Sequence, residues 1–122
     1  MGGSIYRGTI KWFDSRPEKN YGFVVCEGFA DSSESCPIYG EEFFFHYNDG
    51  EFLAVGEEGA TFSGLHYELT FGGTRVLSHP KPGDTIVFQL GVGRNGKKKA
   101  LPWGYRNQYQ RPERSRPYAE AR

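Results

Sequence analysis

The chain has 122 residues with 15 Lys and Arg against 15 Asp and Glu, and it is rich in Gly (17), Phe (10) and Tyr (8). That length suits one domain, and the glycines together with seven prolines exclude an architecture of long helices. A net charge of zero excludes binding to nucleic acid or membranes by bulk charge alone.

The sequence has no apolar run long enough to cross a bilayer and no signal-peptide pattern, so it is expected to be soluble and cytoplasmic. Residues 1–4, with Gly2-Gly3-Ser4, read as a flexible leader. Ile5 to Phe13 is β-branched and aromatic and predicts a first strand, with Gly8 available for a bend. Asp14-Ser15-Arg16-Pro17-Glu18 is turn chemistry. Lys19-Asn20-Tyr21-Gly22-Phe23-Val24-Val25 then predicts a second strand, antiparallel to the first. Alternation sets Tyr21 and Phe23 on one face and Gly22 and Val24 on the other. Tyr and Phe are ordinary core residues. A cation at the start and a glycine between the rings suit something else as well, a surface on which bases stack. Five positions, Lys19, Tyr21, Gly22, Phe23 and Val24, match the RNA-binding octapeptide; Asn20 and Cys26 do not.

Glu27 to Glu41 reads as a Gly-, Ser- and acid-rich loop. Phe43-Phe44-Phe45-His46-Tyr47 predicts a third strand, with Phe44 and His46 on one face and Phe43 and Phe45 on the other. Asn48-Asp49-Gly50 is a turn, and an inserted segment of about 48–81 follows. Within it Leu65, Tyr67, Leu69 and Phe71 alternate, Gly72-Gly73 marks a turn, and Thr74 to Leu77 can return, which predicts an inserted β-hairpin. Thr85 to Leu90 predicts another strand, Gly91 to Gly96 a loop, and Lys97-Lys98-Lys99-Ala100-Leu101 the start of the last strand. From Trp103 aliphatic residues vanish, and 103–122 reads as an Arg/Tyr-rich flexible tail able to touch phosphates and bases.

Charge is unevenly spread. Glu27 to Glu58 holds nine acids and no Lys or Arg, whereas Arg94 to Lys99 and the tail from Arg106 are basic. The acidic run and the inserted hairpin could engage a protein partner or a second copy. Cys26 and Cys36 are too few and too widely spaced for a zinc knuckle; they could form a disulfide in an oxidising compartment, and with no export signal they are expected to stay reduced thiols. His46, His66 and His79 lack metal-ligand spacing, and no nucleophile motif surrounds either cysteine. The expectation is therefore no enzyme, no metal and no cofactor.

Five core strands, no helix, and aromatics on the first three describe a small open barrel of the OB type. At Gly8-Thr9-Ile10-Lys11-Trp12-Phe13, Lys19-Asn20-Tyr21-Gly22-Phe23-Val24 and Phe44-Phe45-His46-Tyr47 the sequence resembles the cold-shock domain family. Gly83-Asp84-Thr85-Ile86-Val87-Phe88 and the basic loop after it resemble that family's fourth strand and its approach to the fifth. The resemblance spans residues 5–47 and 82–102 of a domain read as 5–102, and Asn20, Tyr21 and Tyr47 depart from the family's usual residues. It implies an RNA chaperone or gene regulator that binds single-stranded RNA or DNA on an aromatic face. The binding residues it implies are Lys11, Trp12 and Phe13, then Tyr21 and Phe23, then Phe44, His46 and Tyr47. Lys19, Lys97, Lys98 and Lys99 are added as phosphate contacts. A further stacking ring is implied in the inserted segment, with Phe52 and Phe62 as its candidates. The RRM shares the octapeptide but needs two helices and an aromatic strand upstream of it, and this sequence offers neither.

Overall fold

A computed structural model describes residues 4–56 and 59–105. The strands are β1 (Tyr6–Asp14), β2 (Tyr21–Phe29), β3 (Glu42–His46), β4 (Leu53–Gly56), β5 (Gly59–Phe62), β6 (Tyr67–Thr70), β7 (Gly73–Val76), β8 (Thr85–Val92) and β9 (Lys98–Tyr105). A single 3-10 turn, Tyr47–Asp49, follows β3, and there is no α-helix among the described residues. Five strands close a barrel of the OB type in the order β1-β2-β3-β9-β8. Antiparallel pairing of β1 with β8 from Tyr6↔Phe88 to Thr9↔Thr85 closes it, where the sequence suggested an open barrel. A parallel contact at Phe44↔Lys99 joins β3 to β9.

The alternation expected of β2 and β3 is realised. Val24, Phe43 and Phe45 point into the core, while Tyr21, Phe23 and Phe44 are only partly buried on the outside. Inside, Phe45 meets Trp103 edge-on at 5.3 Å and Phe43 meets Phe88 at 6.0 Å. Ile10, Cys26, Ile86, Phe52, Leu77, Ala100 and Tyr105 complete the cluster. Small residues let the strands approach. A Cβ at Gly22 would lie 2.1 Å from the Trp12 carbonyl oxygen, and one at Gly8 would lie 2.4 Å from that of Val25.

The last strand corrects the expected domain boundary. Trp103, Gly104 and Tyr105, read from sequence as the start of a flexible tail, lie in β9. Trp103 is wholly buried, and its indole N–H donates to the His46 carbonyl at 2.8 Å. One indole thus ties the end of the barrel to the end of β3. The remainder of the expected tail, 106–122, and residues 1–3 of the leader lie outside the described residues.

The inserted segment forms two ladders rather than one. The expected hairpin is present, with β6 and β7 paired from Tyr67↔Val76 to Thr70↔Gly73. A second antiparallel pair, β4 with β5, precedes it. The segment is anchored at its ends: Phe52 and Leu77 are core residues, and the Glu51 N–H donates to the Trp103 carbonyl at 2.8 Å. The Tyr105 hydroxyl donates to the Ser78 carbonyl at 2.9 Å, and Tyr47 does the same to Leu77.

Trp103→Ala should cost about 3–5 kcal/mol, the usual range for emptying a buried large aromatic site. Urea denaturation checks this; a loss under about 1 kcal/mol would return residue 103 to the tail.

Candidate functional site

The outer face of β1, β2 and β3 carries a contiguous group of four rings. Pairing aligns Trp12 with Phe23 and Phe23 with Phe44 across the three strands. Trp12 lies 5.5 Å from Phe23 and 5.7 Å from Tyr21, centroid to centroid. Tyr21 lies 5.2 Å from Phe44, which lies 6.0 Å from Phe23. Trp12 is the most open of the four at 39 % exposure.

A β-bulge decides which residues of β1 reach this face. The register shifts between Ile10 and Trp12, so Lys11 has no partner of its own on β2. Lys11 and Trp12 therefore both sit outward, between a buried Ile10 and a half-buried Phe13. Strict alternation would have sent Trp12 into the core. Phe13 instead stacks on the core ring of Phe45 at 5.7 Å and meets His79 at 6.1 Å.

Phe13 and Tyr47 thus belong to a second ring group, bridged by His79. The Tyr47 ring stacks on His79 at 4.4 Å and 12°. Burial raises the Tyr47 phenol above its ordinary value, and its hydroxyl donates to the Leu77 carbonyl. His79 is the ring that the inserted segment contributes here. Of the two candidates for that part, Phe52 is only 4 % exposed in the core and Phe62 lies beside Gly104 of β9. His46 faces outward opposite Tyr21, and its Nδ1 accepts the Asn48 N–H at 3.1 Å, capping the 3-10 turn.

Cations border the four rings on the β8–β9 side. A groove of about 540 Å³ is floored by Phe23, Glu42 and Phe44 and walled by Arg94, Asn95, Lys97, Lys98 and Lys99. The wall is a tight turn: the Gly93 N–H donates to the Lys97 carbonyl at 2.9 Å, and the Lys97 N–H to Asn95 Oδ1 at 3.0 Å. Gly96 takes a φ of +80° there, which glycine adopts without strain. Lys99 Nζ bridges Asp49 at 2.9 Å while standing 6.0 Å from the Phe44 ring centre. Lys11 is held by Glu42 at 2.8 Å on the same face. Arg94, Lys97 and Lys98 form no ion pair with another described residue.

Lys19 stands apart from the groove, in the exposed turn between β1 and β2. There Arg16 clasps Asp14, and those hydrogen bonds hold the Asp14 carboxyl down at about 2. Sequence reasoning missed Arg94 and Asn95, Glu42 as the partner of Lys11, Asp49 as the partner of Lys99, and His79. The basic run was visible; the turn that folds it over Phe44 was not.

Among the described residues no group of His, Cys, Asp and Glu could hold a metal ion, and no helix is long and apolar enough to cross a membrane. Comparison with protein-family models, curated proteins and solved structures finds no match to this chain.

Gly22→Ala should separate β1 from β2 at the ring group, because its methyl would collide with the Trp12 carbonyl 2.1 Å away. A loss of about 1–3 kcal/mol in urea denaturation is expected. Unchanged stability would mean that the close approach of the two strands is not required.

Proposed function

We propose that this protein binds single-stranded RNA or DNA by stacking bases on Trp12, Tyr21, Phe23 and Phe44, with the backbone led along the basic β8–β9 turn. The observation that carries this reading is a contiguous group of four outward rings, two of which, Phe23 and Phe44, share one groove with that turn. Stacking is worth about 1–3 kcal/mol per base. Three or four bases can therefore reach micromolar affinity, which needs about 8 kcal/mol, after the cost of ordering the strand. Every base offers a flat face, so the surface favours single strands over any strict sequence. That suits a cytoplasmic RNA chaperone or cold-shock-type regulator, in keeping with the resemblance of the strand motifs. The reading assigns the protein to binding, not to catalysis.

A titration with a short unstructured oligonucleotide should quench the fluorescence of Trp12 and leave that of the buried Trp103. Phe23→Ala and Phe44→Ala should each weaken binding roughly 5- to 150-fold. Unchanged emission at high oligonucleotide concentration would refute the proposal.

Salt tests the cations. Three contacts, from Arg94, Lys97 and Lys98, give a slope of log affinity on log salt of about −2. Glu42→Gln should tighten binding a few-fold by releasing Lys11 from its ion pair. A weaker complex in that variant would mean that the carboxylate itself contacts the ligand.

A second reading rests on the inserted hairpin. Leu69 and Val76 are 74 % and 67 % exposed, and Phe71 is fully exposed at the tip. An apolar display of this kind suits a protein contact, either a partner or a second copy of this chain. Sedimentation of Leu69→Ser and Val76→Ser variants, with oligonucleotide binding measured alongside, separates the two readings. Loss of self-association with binding intact would give the hairpin that role. Loss of oligonucleotide binding would move the nucleic-acid site to the hairpin.

A further inference from the structure

The loop between β2 and β3 brings its cysteine back to the strand it left. Cys26 and Cys36 lie ten positions apart in sequence, yet their Sγ atoms are 3.9 Å apart. Both are free thiols; Cys26 is buried in β2 and Cys36 is half-buried. The backbone holds the pair in place from both sides. The Cys26 N–H donates to the Glu41 carbonyl at 2.9 Å, and the Cys26 carbonyl accepts from Gly40 at 2.8 Å. A tight turn stands between, with the Tyr39 N–H donating to the Cys36 carbonyl at 3.1 Å.

The two sulfurs differ in access. Cys36 lines an open hollow of about 380 Å³ together with Arg7, Ser32, Ser35 and Tyr39. Cys26 has no exposed surface, and burial pushes its thiol up to about 11. Cys26 therefore stays protonated at neutral pH and is shielded from solvent, so an oxidant meets Cys36 first.

We propose that Cys26 and Cys36 form a reversible intramolecular disulfide when the chain meets a hydroperoxide, with Cys36 as the sulfur attacked first and Cys26 as the resolving thiol. In the first step the Cys36 thiolate attacks the peroxide. The O–O bond breaks, Cys36 becomes a sulfenic acid, and water or an alcohol leaves with the thiol's proton. In the second, the Cys26 sulfur attacks the Cys36 sulfur, the S–O bond breaks, and a second water leaves carrying the Cys26 proton. Two electrons pass from the thiol pair to the peroxide. The sulfurs must close from 3.9 Å to about 2.05 Å, and the exposed residues 31–35 leave the loop side room to move. The bond would fasten that loop to β2 six residues before Glu42, which floors the groove. The inference rests on the geometry of the pair and is independent of what the groove binds.

The test exposes the reduced full chain to hydrogen peroxide. Both thiols should disappear together and the intact mass should fall by that of two hydrogens. The product should remain monomeric on a non-reducing gel and revert with dithiothreitol. Closing this loop should raise the thermal midpoint by about 5–15 °C. In Cys26→Ala the sulfenic acid on Cys36 has no resolving partner and should be trapped by dimedone. The wild-type thiol count stands without that variant, should it fold poorly. Two thiols still titratable after peroxide, or crosslinks only between chains, would overturn the proposal.

Discussion

Three consecutive phenylalanines on one strand cannot all face a core. A strand sends neighbouring side chains to opposite sides, so burying Phe43 and Phe45 forces Phe44 outward. The same alternation buries Gly22 and Val24 on the face opposite the outward rings of Tyr21 and Phe23. The inner set packs on Trp103 and Phe88 and fixes the register. A slip of one residue would exchange the two sets and expose the core. The outer ring group is therefore held in place by the stability of the inner one. Its position does not depend on any contact that the outer rings make for themselves.

Much of this was legible because it depends on period-two alternation and on turn chemistry. The strand motifs at Tyr21 and Phe43, the Gly72-Gly73 hairpin and the basic loop before β9 are short-range features. The illegible parts depend on long-range contacts. The tail boundary failed at Trp103 because the local composition there is Gly- and Tyr-rich, while the indole is held by the His46 carbonyl 57 positions away. Phe52 looked like a stacking ring because nothing near it in sequence reveals Leu77 and Trp103 as its core companions. The resemblance groups Phe13 with Trp12, and the bulge at Lys11, which sets Trp12 rather than Phe13 outward, is a property of the β1–β2 pairing.

The outer face also carries its own restraint. Two of its lysines are already engaged, Lys11 by Glu42 and Lys99 by Asp49. Both pairs are partly open to solvent, where such bridges are worth little, so a phosphate can compete for either cation. A chain of zero net charge thereby keeps a local basic wall at Arg94, Lys97 and Lys98 while pairing Lys11, Arg16, Arg75 and Lys99. Under the proposed function, affinity divides into stacking on the rings and a smaller electrostatic part from that turn.

The proposed function sets nucleobases on the outward rings of β1, β2 and β3. The most direct measurement is a chemical-shift map of the full chain during titration with a short single-stranded oligonucleotide. Large shifts are expected for the Trp12 indole N–H, the Phe23 and Phe44 rings and the backbone of 94–99, with the Trp103 indole N–H unmoved. Shifts confined to the β6–β7 hairpin, or none at all at saturating oligonucleotide, would contradict it.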